Sequence, residues 1–143
     1  MYTLQPRVNL QIGFNNNFIT NGFYTKFLGV TMNSTLSWNN HIDQLVKKLS
    51  KACYIIRNIK TYMSAPSLKM IYYAFFHSVM SYEIIFWGNL WHSSIIFRLQ
   101  KKVIRIMEGC GNRASCRSLF KKFLILPLKS QYMLSLFNVC SSK

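Results

Sequence analysis

Beyond residue 39 the apolar side chains recur every three or four positions, and that spacing restricts most of the chain to amphipathic helices packed on one another. Ile42, Leu45, Val46, Leu49, Ala52, Cys53, Ile56 and Ile59 fall on one stripe, with Lys47, Lys48, Lys51 and Arg57 off it. Asn39 and Asn40 are residue types that cap a helix start, so a first helix of about five turns is predicted after them. Ser64-Ala65-Pro66 signals a second start, with Ser64 as N-cap and Pro66 in the first turn. Its stripe of Leu68, Ile71, Tyr72, Phe75, Val79 and Met80 is broad and aromatic, which predicts the most buried helix. The stretch from Ser81 to Asn89 ends it, with Gly88 as a stop.

A third helix is predicted from about His92 to Met107. Ile96, Leu99, Val103 and Ile106 form its inner face. Arg98, Lys101, Lys102 and Arg105 stand at i, i+3, i+4 and i+7, on one outer face. Gly109 and Gly111 end it. Ser115 to Phe123 reads as a short basic helix with Leu119, Phe120 and Phe123 inward. Pro127 separates it from a last helix, on which Leu128, Tyr132, Met133, Leu136, Phe137 and Cys140 share a face.

The first third follows a different period. Val8, Leu10, Ile12 and Phe14 alternate with polar residues or glycine, and Leu28, Val30 and Met32 alternate again. Asn15-Asn16-Asn17 and Asn21-Gly22 supply turn signals. The expected fold is mainly α: a bundle of four to five helices preceded by a small antiparallel β-hairpin region. The division falls into residues 1–36, the hairpin region, and 37–143, the helical region. Leu45, Leu49, Ile56, Ile71, Phe75, Val79, Leu99, Val103 and Ile106 are the expected core.

Composition then limits the chemistry. Half of the 143 residues are apolar, yet 18 Lys and Arg face only 3 Asp and Glu, for a net charge of +15. So apolar a chain can bury a core, and a disordered basic tail is excluded. The acids Asp43, Glu83 and Glu108 are widely separated in sequence. A glycosidase needs two carboxylates flanking a bond, and a two-metal nuclease or polymerase needs a carboxylate cluster. No catalytic residue, metal site or cofactor is therefore expected. Cys53, Cys110, Cys116 and Cys140 form no CxxC pair and read as free thiols in a reducing compartment. His41 and His77 have no Ser, Cys or carboxylate at triad-like spacing and read as capping or packing groups. No phosphate-loop, dinucleotide or HExxH motif is present.

A strongly cationic chain has few classes of partner: nucleic acid, an anionic membrane or an acidic protein. Ordinary solvated helix faces mix both signs. Here acids are nearly absent, so the basic stripe reads as a phosphate track. Lys47, Lys48, Lys51, Arg98, Lys101, Lys102 and Arg105 are the expected contacts. An alternative is a small membrane-associated protein with a span within 70–97, where Glu83 is the only formal charge. His77, Ser78, Ser81, Gly88, Asn89 and His92 interrupt that run, which favours two buried segments with a polar break. The N-terminus lacks the pattern of a signal peptide, so a nuclear or cytoplasmic protein, not a secreted one, is expected.

An ordered series of short motifs adds a family resemblance. It begins at Lys26-Phe27-Leu28-Gly29-Val30 and continues through Leu36-Ser37-Trp38, His41-Ile42 and Leu49-Ser50-Lys51-Ala52. Leu68-Lys69-Met70-Ile71-Tyr72-Tyr73-Ala74, Phe76-His77-Ser78, Ser81-Tyr82 and Trp87-Gly88-Asn89 follow. Leu99-Gln100-Lys101, Arg105-Ile106, Cys116-Arg117-Ser118-Leu119-Phe120 and Ile125-Leu126-Pro127-Leu128 close it. The series resembles the segment after the catalytic palm in reverse transcriptases of non-LTR retrotransposons, of the jockey-like kind common in insects. It covers nearly the whole chain from Val8.

The resemblance implies that Phe27, Leu28 and Gly29 belong to a primer-grip-like strand-turn at the palm's edge. It also implies that the helices after Trp38 are the thumb and the region beyond, touching the backbone of a template-primer duplex or RNA–DNA hybrid. The family's Tyr-x-Asp-Asp type motif and its earlier Asp do not occur here. The implied protein is thus a polymerase fragment with no activity of its own, no small-molecule substrate and residual sequence-independent nucleic-acid binding. The chain departs from the family pattern at Asn33 and Ala114, where Asp is usual, and at Glu83, where Gly is usual.

Overall fold

The computed structural model describes residues 12–14, 17–19, 24–27, 30–33, 38–82 and 84–141. It is mainly helical. The chain divides into two units, Met1–Trp38 and Asn39–Lys143.

In the first unit the backbone forms two antiparallel pairs. Strand β1 (Ile12–Phe14) pairs with β2 (Asn17–Ile19), and β3 (Tyr24–Phe27) pairs with β4 (Val30–Asn33), placing Phe27 opposite Val30. Asn17, expected in a turn, opens β2. Val8, Leu10, Asn15, Asn16, Asn21, Gly22, Leu28 and Gly29 lie outside the described residues.

The second unit is a helical bundle. Helix α1 (Asn39–Ile59) buries Ile42, Leu45, Leu49, Ala52, Cys53 and Ile56, six positions of the expected stripe. Asn39 and Asn40 sit inside its first turn instead of preceding it. A 3₁₀ turn (Lys60–Tyr62) leads to Ser64, whose hydroxyl accepts from the Ser67 N–H at 3.5 Å and caps α2 (Ala65–Ile71). Pro66 stands in the first turn, where its missing N–H costs nothing.

Helix α2 then runs without a break into a π-helical turn (Tyr72–His77) and α3 (Ser78–Ser81). The Ser78 N–H bonds the Tyr73 carbonyl, five residues back. This turn corrects the expected core. At 3.6 residues per turn a four-residue step drifts by about 40°, so an unbroken α-helix keeps one face by alternating steps of three and four. The wider π turn cancels that drift and holds steps of four in line. Leu68, Tyr72, Phe76 and Met80 are therefore the buried set. Phe75 is 54% exposed, and Ile71 and Val79 are only half-buried.

Helix α4 (Ile84–Trp87) follows, burying Ile84 and Trp87, with the Trp87 indole N–H donating to the Tyr82 carbonyl at 3.3 Å. Gly88 stops it. A Cβ there would lie 2.6 Å from both the Ile84 carbonyl oxygen and Tyr132 Cδ2, so only glycine admits this approach. Glu83 lies outside the described residues. The segment 70–97 is thus divided among several helices. Among the described residues no single helix is long and apolar enough to cross a membrane.

Helix α5 (Ser93–Glu108) is the centre of the unit, packing against α1, α2, α6 (Cys116–Phe123) and α7 (Leu128–Ser141). It runs alongside α1 in the same direction: the Cys53 thiol reaches the Leu99 carbonyl at 4.0 Å, and Lys60 Nζ lies beside Gly109. Gly109 ends α5 at φ 85°, a left-handed conformation that glycine adopts freely. Because α5 has neighbours on several sides, Ile96, Gln100, Val103, Ile104 and Met107 are buried, while Leu99 and Ile106 are half-buried. On α6, Cys116, Phe120 and Phe123 are buried and Leu119 is half-buried. The expected inner face of α7 is corrected more strongly. Leu128 is its one buried residue, while Met133 and Phe137 are 52% and 66% exposed and Cys140 is exposed.

Candidate functional site

The seven expected phosphate contacts occupy two helices. Lys47, Lys48 and Lys51 are exposed around the middle of α1. The α5 stripe separates into two pairs. Arg98 and Lys102, four residues apart, are exposed, whereas Lys101 and Arg105 are half-buried and turned toward α6.

Lys102 also acts across the contact between α5 and α1. Burial pushes the Cys53 thiol up to about 11, while the charges of Lys102 and Arg57 pull in the opposite direction. Arg57 on α1 and Lys102 on α5 thus both act on the Cys53 thiol, a relationship that sequence spacing on one helix cannot show. Lys48 in turn is close enough to His41 for its charge to hold the imidazole below its ordinary value, adding to desolvation as the larger cause.

Lys101 and Arg105 belong to a separate feature. Together with α6 and the connection Leu124–Pro127 they line a cleft of about 720 Å³. The Lys101 ammonium sits over the Phe97 ring, 4.7 Å from its centroid, and Phe97 stacks on Phe120 at 6.2 Å. Arg105 Nε donates to the Ala114 carbonyl at 2.9 Å, which ties the loop before α6 back to α5. Arg117 and Lys121, both exposed on α6, complete a basic rim. The sequence signal for this cleft is the short Leu124–Pro127 connection, which folds α6 and α7 back onto α5.

One buried amide holds that connection. Gln100 Nε2 donates to the Tyr72 hydroxyl at 3.1 Å and to the Leu126 carbonyl at 2.9 Å, and its Oε1 accepts from the Leu128 N–H at 2.9 Å. Burial drives the Tyr72 hydroxyl far above its ordinary range, with the Gln100 hydrogen bond opposing, so it stays protonated.

The described residues hold no group of three His, Cys, Asp or Glu able to bind a metal. One ion pair forms among them, Lys122 to Glu108 at 2.6 Å. His77 Nε2 donates to Gln131 Oε1 at 3.4 Å, a packing contact between the aromatic helix and α7. The primer-grip-like set is represented by Phe27 alone, at the end of β3, since Leu28 and Gly29 lie outside the described residues.

Comparison with family models, curated proteins and solved structures found no match to this chain.

Proposed function

We propose that the chain is the post-palm portion of a non-LTR retrotransposon reverse transcriptase, without the catalytic aspartates, and that its helical unit binds nucleic-acid backbone without regard to sequence. On this reading the strand pairs before Trp38 are the palm edge, with Phe27, Leu28 and Gly29 in the primer-grip-like turn. The helices from α1 onward are the thumb and the region beyond it. The partner is a template-primer duplex or RNA–DNA hybrid, met in the nucleus or cytoplasm, and the chain carries no polymerase activity of its own.

The observation that carries the binding proposal is unbalanced charge on exposed helix. Lys47, Lys48, Lys51, Arg98 and Lys102 are all exposed, and the single ion pair among the described residues involves none of them. Cations in that state attract a polyanion by releasing its counterions, and they need no base recognition to do so. The ordered series of motifs from Lys26 to Leu128 supports the family assignment.

The test is fluorescence anisotropy with a labelled RNA–DNA hybrid at several salt concentrations. The expected outcome is binding that weakens with salt at a log–log slope of about −0.9 per phosphate neutralised, equally for unrelated sequences. A flat salt response overturns the backbone-binding proposal. Primer extension by the purified chain is expected to be blank, and extended product overturns the assignment of an inactive fragment.

A further inference from the structure

We propose that the cleft between α5, α6 and the Leu124–Pro127 connection binds a monomeric, single-chain amphiphile with an anionic headgroup. The inference stands independently of nucleic-acid binding. Its volume of about 720 Å³ lies in the range of small-molecule sites.

The walls select the tail. Phe97, Phe120, Ile125 and Pro127 are apolar, and the polar side chains of the lining are cations and the Cys116 thiol. That thiol is buried and donates to the Lys101 carbonyl at 3.7 Å. Three backbone acceptors of the connection are engaged as well: the Leu124 carbonyl accepts from the Tyr73 hydroxyl at 3.4 Å, the Leu126 carbonyl from Gln100 and the Pro127 carbonyl from the Gln131 N–H. A nucleobase would find few partners for its edge donors there, and each buried donor left unpaired carries a cost. A hydrocarbon chain carries none.

The rim selects the head. Lys101, Arg105, Arg117 and Lys121 supply four positive charges, and no carboxylate lines the cleft. Glu108 is engaged with Lys122, which is not a lining residue. A carboxylate or phosphate at the end of an acyl chain matches this arrangement, and the two share the chemistry that the rim recognises.

Leu124 gives an independent indication. It ends α6 at φ 54°, a left-handed position where glycine is the usual residue, and its side chain is 77% exposed at the cleft. Strain of this kind persists where the side chain has a use. An apolar ligand tail supplies one.

The experiment titrates the full chain with dansyl-undecanoate below its critical micelle concentration and follows dansyl emission. The expected result is saturable one-to-one binding, displaced by oleate and by oleoyl lysophosphatidate but not by oleyl alcohol or inorganic phosphate. R117E/K121E is expected to weaken binding by about tenfold as the headgroup attraction disappears. Leu124→Gly relieves the left-handed strain, so it is expected to keep or raise the urea midpoint while weakening the probe by about fivefold, because less apolar surface covers the tail. Competition by oleyl alcohol equal to that of oleate overturns the headgroup assignment. Displacement by inorganic phosphate, or unchanged binding by either variant, overturns the site. Uptake of the chain only by phosphatidylserine vesicles, with no monomeric probe bound, replaces the cleft with a membrane surface and overturns it too.

Discussion

Gln100 Nε2 donates to the Tyr72 hydroxyl at 3.1 Å, which joins the middle of α5 to the first residue of the π-helical turn. The same side chain bonds the Leu126 carbonyl and the Leu128 N–H. One amide therefore fixes three things at once: the register of the aromatic helix, the path of the connection between α6 and α7, and the start of α7. Both of its N–H donors and its carbonyl are used, so a buried polar group that would otherwise be costly becomes a specific clamp.

Gln100→Leu keeps the volume similar but leaves the Leu128 N–H and the Leu126 carbonyl without their partner. The variant is expected to lose about 3 kcal/mol of stability through these orphaned groups. Urea unfolding followed by tryptophan fluorescence checks this, as a lower midpoint at an unchanged slope.

Phe75 and Phe76 are adjacent, and the π turn gives them opposite fates: 54% exposed against 0%. Phe76→Ala is expected to cost about 4 kcal/mol, the range for a fully buried phenylalanine. Phe75→Ala is expected to stay within about 0.5 kcal/mol, as for an exposed site. Comparable losses at both positions would place the helix in α register and contradict the turn.

His77 and His41 are both held below the ordinary value of 6.5, mainly by desolvation, with Gln131 opposing at His77 and Lys48 adding to the effect at His41. The folded state thus favours the neutral rings. Their contribution is complete above pH 6.5 and is lost as pH falls below it, because the unfolded chain binds protons first. With only 3 acids in the chain, few carboxylates add to this slope. Thermal midpoints between pH 7.5 and pH 5 are expected to fall, by roughly the linkage of two protons at most. His77→Gln is expected to flatten that decline.

R98E/K102E removes two exposed cations from α5 without touching its buried face. The slope of log K against log salt for hybrid binding is expected to become shallower by about 0.9 for each phosphate that is no longer neutralised. Circular dichroism is expected to remain unchanged. An unaltered slope would move the phosphate track away from this face of α5.

Much of the bundle was legible in the sequence because its signals are local. The stripe on α1 follows from apolar spacing alone. Ser64 with Pro66 and Gly109 mark helix ends through backbone geometry that those residue types favour individually. Exposure of Lys47, Lys48, Lys51, Arg98 and Lys102 also follows, since a charged side chain opposite an apolar stripe has nowhere else to go.

What the sequence did not carry depends on neighbours distant along the chain. The choice of Phe76 over Phe75 rests on a single widened turn, and the Gln100 hydrogen bond to Tyr72 is part of the frame around it. An exposed α7 face was not readable either, because apolar spacing states which side chains share a face and not whether another element covers it. The assignment of Lys101 and Arg105 to the cleft likewise arises only when α6 folds back onto α5. By itself, then, the sequence determined that this is a cationic, helix-rich chain, with 18 Lys and Arg against 3 Asp and Glu. The tertiary structure alone decided which cations stay on open helix and which converge on an apolar cleft, because that depends on how helices pack and not on the period within any one of them.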